Sequence, residues 1–313
     1  MFSYDEKAIK NIVQRLMNFE ESIKIPANAE GNVHSLIAYL RYECTILFHL
    51  GEVKYIFSPR RKEAILTPCY LYSQNDYESL VSQLAITVQK IRDQICTTPS
   101  MLERELLVHD AFCKSVQYAD DGDQSHSIVG PLLFKRGVCD GISKAVKVVL
   151  QESGIKSHVI SGMAQTDASH QNEPHAWNIV QMNNEWYHLD VTFDNTISNK
   201  SIRYDYFNVC DREILKDHTI GFDSPYQSTP CLTEQDYYTL KGNAFHSLDG
   251  VRQYFARCIS ERQAHIQLRV SPMPTLKELE AVFVKELFKR SNGAYVFSYN
   301  EIRGVCCWDI EYN

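Results

Sequence analysis

The chain has no surplus of positive charge. Its 32 Lys and Arg are outnumbered by 39 Asp and Glu, for a formal charge of −7 and a pI near 5.9. A nucleic-acid partner would want a basic face, so none is expected. No apolar run approaches the roughly 20 residues needed to cross a bilayer, so no membrane partner is expected either. The opening Met1-Phe2-Ser3-Tyr4-Asp5-Glu6-Lys7 lacks the basic and apolar regions of a secretory leader. A cytoplasmic location is therefore the expectation. There is no low-complexity tract or internal repeat. No Cys-x-x-Cys or His-Glu-x-x-His pair is present either, so neither a metal nor a cofactor is expected. A metal reading would have to combine His170, His175, His188 and Asp190, whose spacing is unremarkable.

What the chain does have is an ordinary globular composition, 44% hydrophobic and 23% charged over 313 residues. That length suits one large domain or two to three smaller ones. Ten cysteines without a leader are expected to be reduced thiols rather than a disulfide framework.

Taken in order, Ser3 and Glu6 form a capping-box pattern ahead of Ile9, Ile12, Val13, Leu16 and Met17, which predicts an amphipathic helix. The segments Leu36 to Leu50, Lys54 to Phe57 and Ala64 to Tyr72 are aromatic- and β-branched-rich and predict antiparallel strands. A helix is expected from about Asp76 to Ile95. A second, opened by Ser100 and Glu103, runs through Leu106, His109, Phe112 and Val116. Residues 195–240 are turn-rich, with Pro225 and Pro230. From His246 onward the pattern is helix, strand, helix and two strands around Arg303-Gly304. The expected division is a 1–100 N-terminal α+β extension, a 101–245 core and a 246–313 α+β appendage.

The stretch that organises the chain is Arg136-Gly137-Val138-Cys139-Asp140-Gly141. It opens an apolar period of Ile142, Ala145, Val146, Val149 and Leu150 that stops at Gly154, which reads as a helix. Cys139 then lies in the first turn, where unpaired N–H groups and the positive end of the dipole favour an anion such as a thiolate. Gly137 permits a sharp entry, and Gly141 a close approach. Further on, His175 to Met182 and Glu185 to Phe193 alternate like strands joined by an Asn183-Asn184 turn. That register pairs Met182 with Glu185, Trp177 with Asp190 and His175 with Thr192. His175 and Asp190 would share a face on one diagonal, within reach of each other. A nucleophilic cysteine needs a base and a group to hold that base, and the hairpin supplies both. Taken singly, each is an ordinary residue: a core thiol, a strand histidine, a solvated carboxylate. Trp177 and Trp186 read as core or site-wall aromatics, and Asn178 as a supporting or structural amide. The other nine cysteines read as packing.

The blocks Gly137-Val138-Cys139-Asp140-Gly141, Pro174-His175-Ala176-Trp177-Asn178 and Trp186-Tyr187-His188-Leu189-Asp190-Val191-Thr192 resemble, in order, the signatures of the transglutaminase-like superfamily, in particular its compact microbial members. The resemblance runs from about Leu102 to Asp194. It implies a papain-like α+β core in which a cysteine helix packs on an antiparallel sheet. It also implies Cys139 as nucleophile, His175 as general base and acid, and Asp190 as the group orienting the imidazole. The papain signature itself is absent, and Tyr118 is a candidate oxyanion donor. The expected activity is acyl transfer on a peptide or amide substrate through a thioester, with hydrolysis favoured over cross-linking. The expected partner is a protein or peptide substrate. The alternative is a non-catalytic interaction module that keeps the fold.

Overall fold

The computed structural model describes residues 4–165, 172–198, 200–221, 224, 231 and 235–313. Ser3, His170, Pro225 and Pro230 lie outside the described residues.

The first helix, α1 (Glu6–Met17), is capped by Asp5, whose carboxylate accepts from the Ala8 N–H at 2.7 Å. It buries Ile9, Ile12 and Leu16. Then come β1 (Ile23–Pro26), α2 (Glu30–Tyr42), β2 (Leu50–Ser58) and β3 (Glu63–Tyr70), an antiparallel sheet in the order β1-β3-β2. The strand expected over Leu36 to Leu50 is instead the second half of α2 and a 3-10 turn at Thr45–Leu47. Val33, Leu36 and Leu40 recur at three- and four-residue spacing and pack into one core with Leu16, Ile23 and Leu66. Helical periodicity outweighs a strand-like composition when one face finds a core.

Next are α3 (Gln74–Ile95) and α4 (Met101–Ser115), capped by Ser73 and Ser100. Ser100 accepts from the Glu103 N–H at 3.3 Å, while its own N–H donates to Thr98 Oγ1, so only half of the expected box forms. Strand β4 (Gln117–Tyr118) pairs in parallel with β5 (Arg136–Gly137), which delivers the chain into α5 (Cys139–Glu152). Gly154 ends α5 at φ +83°, and the Ile155 N–H reaches back to the Leu150 carbonyl at 2.9 Å.

The central sheet has the antiparallel order β8-β7-β6-β9, from β6 (Ser157–Gln165), β7 (Asn172–Met182), β8 (Glu185–Leu189) and β9 (His218–Ile220). The helices α6 (Val191–Ile197) and α7 (Asp211–Ile214) lie between β8 and β9 in sequence. The buried face of α5 shares one apolar cluster with Val180, Tyr187 and Leu189 of the sheet, Val108 and Phe112 of α4, and Leu84 of α3. The last unit has α8 (Tyr237–Lys241), β10 (Ala244–Phe245), α9 (Leu248–Ser260), β11 (His265–Val270), α10 (Leu276–Arg290), β12 (Gly293–Asn300) and β13 (Val305–Tyr312). Its sheet runs β10-β11-β13-β12 around Trp308, Phe255 and Phe283. The class is α+β, as expected, with a cysteine-bearing helix against an antiparallel sheet. No helix among the described residues is long and apolar enough to cross a membrane.

Glu43, just past α2, ties the first unit to the central one. Its carboxylate meets Lys147 Nζ of α5 and His158 Nδ1 of β6, each at 2.9 Å, and accepts from the Val159 N–H at 3.0 Å. The Glu43 and Lys147 side chains are 6% and 3% exposed, so neither charge has water to fall back on. Removing one partner of such a buried pair costs about 3–5 kcal/mol. Glu43→Ala is therefore expected to lower the melting temperature clearly, whereas Glu52→Ala, at an exposed pair with Lys54, should move it little.

Candidate active site

Cys139 is the first residue of α5, partly exposed, and its helix is fixed to the sheet by polar bonds. Ser143 Oγ donates within 2.9 Å of the Ala176 carbonyl on β7, and Asn178 Nδ2 donates to the Ser143 carbonyl at 2.9 Å. Asn178 is thus a positioning amide that locks α5 to the strand carrying His175. Gly141 fits where it does because a Cβ there would sit 2.0 Å from the Ser125 carbonyl oxygen. The expected close approach is of backbone to backbone. Gly137 has a different role from the one expected: it packs on Pro131, which a side chain would strike.

The hairpin register is as expected at its turn. Met182 pairs with Glu185, and Asn183 and Asn184 have φ of 51° and 68°, both in the left-handed region that a two-residue hairpin demands. The second strand is shorter than expected. It stops at Leu189, and Asp190 caps α6, its Oδ1 accepting from the Phe193 N–H at 3.0 Å. Trp177 is therefore not paired with Asp190, nor His175 with Thr192, within the ladder. The side chains meet all the same: His175 Nε2–H donates to Asp190 Oδ2 at 2.7 Å. Both are buried, and the His175 ring lies 4.6 Å from Phe193 and 6.0 Å from Trp177.

Burial alone would pull the His175 pKa down. The charge and hydrogen bond of Asp190, then the hydrogen bond and charge of Cys139, more than reverse that and hold it at about 10. Asp190 is the mirror case: burial would raise it, but His175 and His218 hold it well below the usual carboxylate range. A folded-state value raised from 6.5 to about 10 contributes stability that is fully present below 6.5 and lost as pH climbs through about 10. Between those limits the wild-type melting temperature is expected to fall more steeply than that of His175→Gln. Parallel curves would show that His175 carries no such linkage.

Tyr118 lies on β4 opposite Gly137, partly exposed, its hydroxyl pKa pushed to about 12 by burial and then by the charge of Cys139. Asp140 faces away from this centre, toward Lys144 at 3.1 Å and His126 at 3.0 Å. His188 is also elsewhere: its Nδ1 accepts from the Trp177 indole at 2.9 Å, which leaves Nε2–H for Asp211 at 3.1 Å. The residue the sequence reading missed is His218, whose Nε2 lies 3.1 Å from Asp190 Oδ2. His175, Asp190 and His218 offer ligand atoms within 4.8 Å of one another, and hydrogen bonds between imidazole N–H and carboxylate account for that spacing. Cys69 and Cys96 are exposed, so packing does not explain them.

Several solved structures are similar to this chain. One described as a TGase has 14% identity and a TM-score of 0.31, over 55% of this chain and 51% of that one. A candidate cysteine protease from Cytophaga hutchinsonii has 12% identity and a TM-score of 0.31, over 46% of this chain and 66% of that one. A candidate protease from Parabacteroides distasonis has 9% identity and a TM-score of 0.26, over 44% of this chain and 36% of that one. The chain thus spans about half the length of the TGase it matches. No curated protein matches its sequence. Residues 89–191, which include Cys139, His175 and Asp190, match the family model of the transglutaminase-like superfamily.

Proposed function

We propose that this protein transfers acyl groups from a peptide or amide substrate through a thioester on Cys139. The observation that carries the reading is His175, bonded to Asp190 at 2.7 Å and with its pKa raised further by Cys139, which opens a helix.

Imidazolium at His175 favours thiolate at Cys139. The sulfur attacks the amide carbonyl carbon, the C–S bond forms and the carbonyl pair moves onto oxygen. The N–H groups of Cys139 and Asp140, at the start of the helix and without acceptors within it, are the proposed donors to that oxyanion. On collapse the C–N bond breaks and His175 gives its proton to the leaving amine. Water then attacks the thioester carbon, and His175 takes its proton. Collapse of the second tetrahedral intermediate breaks the C–S bond, releasing the carboxylic acid and restoring thiolate at Cys139 beside imidazolium at His175. A lysine amine in place of water would give cross-linking. Cross-linking demands that water be excluded, and Cys139 is partly open, so hydrolysis is the favoured outcome. The proposed location is the cytoplasm, where ten free cysteines would stay reduced.

Iodoacetamide, with labelling mapped by mass spectrometry, tests the reading without knowledge of the substrate. Cys69 and Cys96 are more exposed than Cys139, so access alone would favour them. At mildly acidic pH Cys139 is expected to react first. Labelling that follows exposure would contradict catalysis and favour an interaction module built on the same fold.

A further inference from the structure

Asp190 does not serve His175 alone. The same oxygen, Oδ2, faces His218 Nε2 at 3.1 Å, and the other ring nitrogen of His218 faces Asp217 Oδ1 at 2.7 Å. A neutral imidazole carries one N–H, so two carboxylates on opposite sides of one ring are both satisfied only when both nitrogens donate. The His218 side chain is fully buried, as are Asp190 and, to within 1%, Asp217. Asp217 is itself held from beyond: its carboxylate accepts from Arg303 Nη2 and from the Tyr206 hydroxyl, each at 2.8 Å. Arg303 comes from the turn between β12 and β13 of the C-terminal unit. Its guanidinium sits 4.6 Å from the Tyr206 ring centre and also donates to the Glu213 carbonyl. Alternating polarity therefore runs Arg303, Asp217, His218, Asp190, His175, ending beside Cys139.

We propose that His218 is a positioning residue of the acyl-transfer site: anchored through Asp217 to Arg303, it is the second donor to Asp190 and limits how tightly Asp190 holds the proton on His175. This rests on the acyl-transfer reading of Cys139. The chemistry requires it in one direction. His175 must keep a proton to pair with the thiolate, yet surrender it to the departing amine. A carboxylate shared between two imidazoles stays in place but binds each proton less strongly than one devoted to His175 alone. β9 is held against β6 closely enough for this: a Cβ on Gly162, which pairs with both His175 and Ile220, would lie 2.0 Å from the Thr219 carbonyl oxygen.

Among the described residues, the charged and titratable groups around His218 are Asp190, Asp217, His175 and His188, with Arg303 beyond Asp217 and the Tyr206 ring at 5.6 Å. Those around His175 are Asp190, Cys139 and His218. Removing His218 takes one donor from Asp190 and no acceptor from His175. The His175 proton should then be held more tightly, and the pH at which it leaves should rise.

His218→Phe keeps a ring of similar volume and removes both donors; His218→Gln keeps an N–H toward Asp190 without the second. The readout is the titration of His175 by NMR of histidine-labelled protein, with its signal assigned by loss in His175→Gln. The midpoint is expected to rise by about one unit in His218→Phe and by less in His218→Gln. The alkaline limb of the iodoacetamide profile at Cys139 should move with it. An unmoved midpoint in either folded variant overturns the proposal, whatever happens to the rate. Because the titration needs no turnover, the two readings fail separately. An unreactive Cys139 in the wild type would refute acyl transfer, whereas an unshifted His175 beside a reactive Cys139 would refute the role of His218.

Discussion

Replacing Cys139 with alanine is expected to abolish thioester formation altogether, because a methyl group is no nucleophile. Serine should fare little better, since its oxygen has no base matched to it at this site: His175, held at about 10, is already protonated at neutral pH. The fold should survive either change. Cys139 is only partly buried, and α5 is anchored by Ser143, Asn178 and Lys147. His175→Ala should be similarly severe, and combining it with Cys139→Ala should add almost nothing, as expected of residues that act as a unit. A chromogenic ester of a simple acid serves as substrate, with turnover scored against a thermal melt of each variant. Turnover by Cys139→Ala within tenfold of the wild type would place the nucleophile elsewhere.

Asp190→Asn is expected to cost about 10²- to 10⁴-fold in rate. The amide can still cap α6 by accepting from the Phe193 N–H, so that helix should persist. It cannot compensate His175 electrostatically, and its NH₂ group, standing where Oδ2 was, would oppose the N–H of both imidazoles. The wrong tautomer or a lost imidazolium follows at His175, and with it the loss of proton transfer. The melting temperature should also drop, because Asp190 is wholly buried between two histidines whose donors would go unmatched. Near-full activity in Asp190→Asn would make Asp190 a structural cap and leave Cys139 and His175 as a dyad.

Local pattern carried much of this arrangement. The α5 period from Ile142 to Leu150 and its Gly154 stop are visible in the sequence because a helix on a core repeats its apolar face and needs a left-handed residue to end. The Asn183-Asn184 turn is visible for a similar reason, since two consecutive positive φ values select such residues. Where local pattern was ambiguous, tertiary packing decided. The α2 segment has the composition of a strand and the spacing of a helix, and the core formed by Leu16, Ile23 and Leu66 selects the helix. Asp190 reads equally as a strand residue or a cap. The bond from its own N–H to the Tyr206 carbonyl, from a segment beyond α6, ends the strand there. His218 was invisible because nothing near it in sequence announces a site. Only the docking of three residues of β9 onto β6 brings it to Asp190. The Asp217-His218 pair before Thr219-Ile220 is the one local hint of a polar residue entering a buried strand.

The most direct test is to trap the acyl-enzyme. Intact mass spectrometry after rapid acid quench with an activated ester, followed by peptide mapping, reads where the acyl group resides. One acyl group per chain, on Cys139, present in the wild type, absent in Cys139→Ala and discharged faster by water than by an added primary amine, is the expected result. Acylation spread over the exposed Cys69 and Cys96, or none that depends on Cys139, would contradict it.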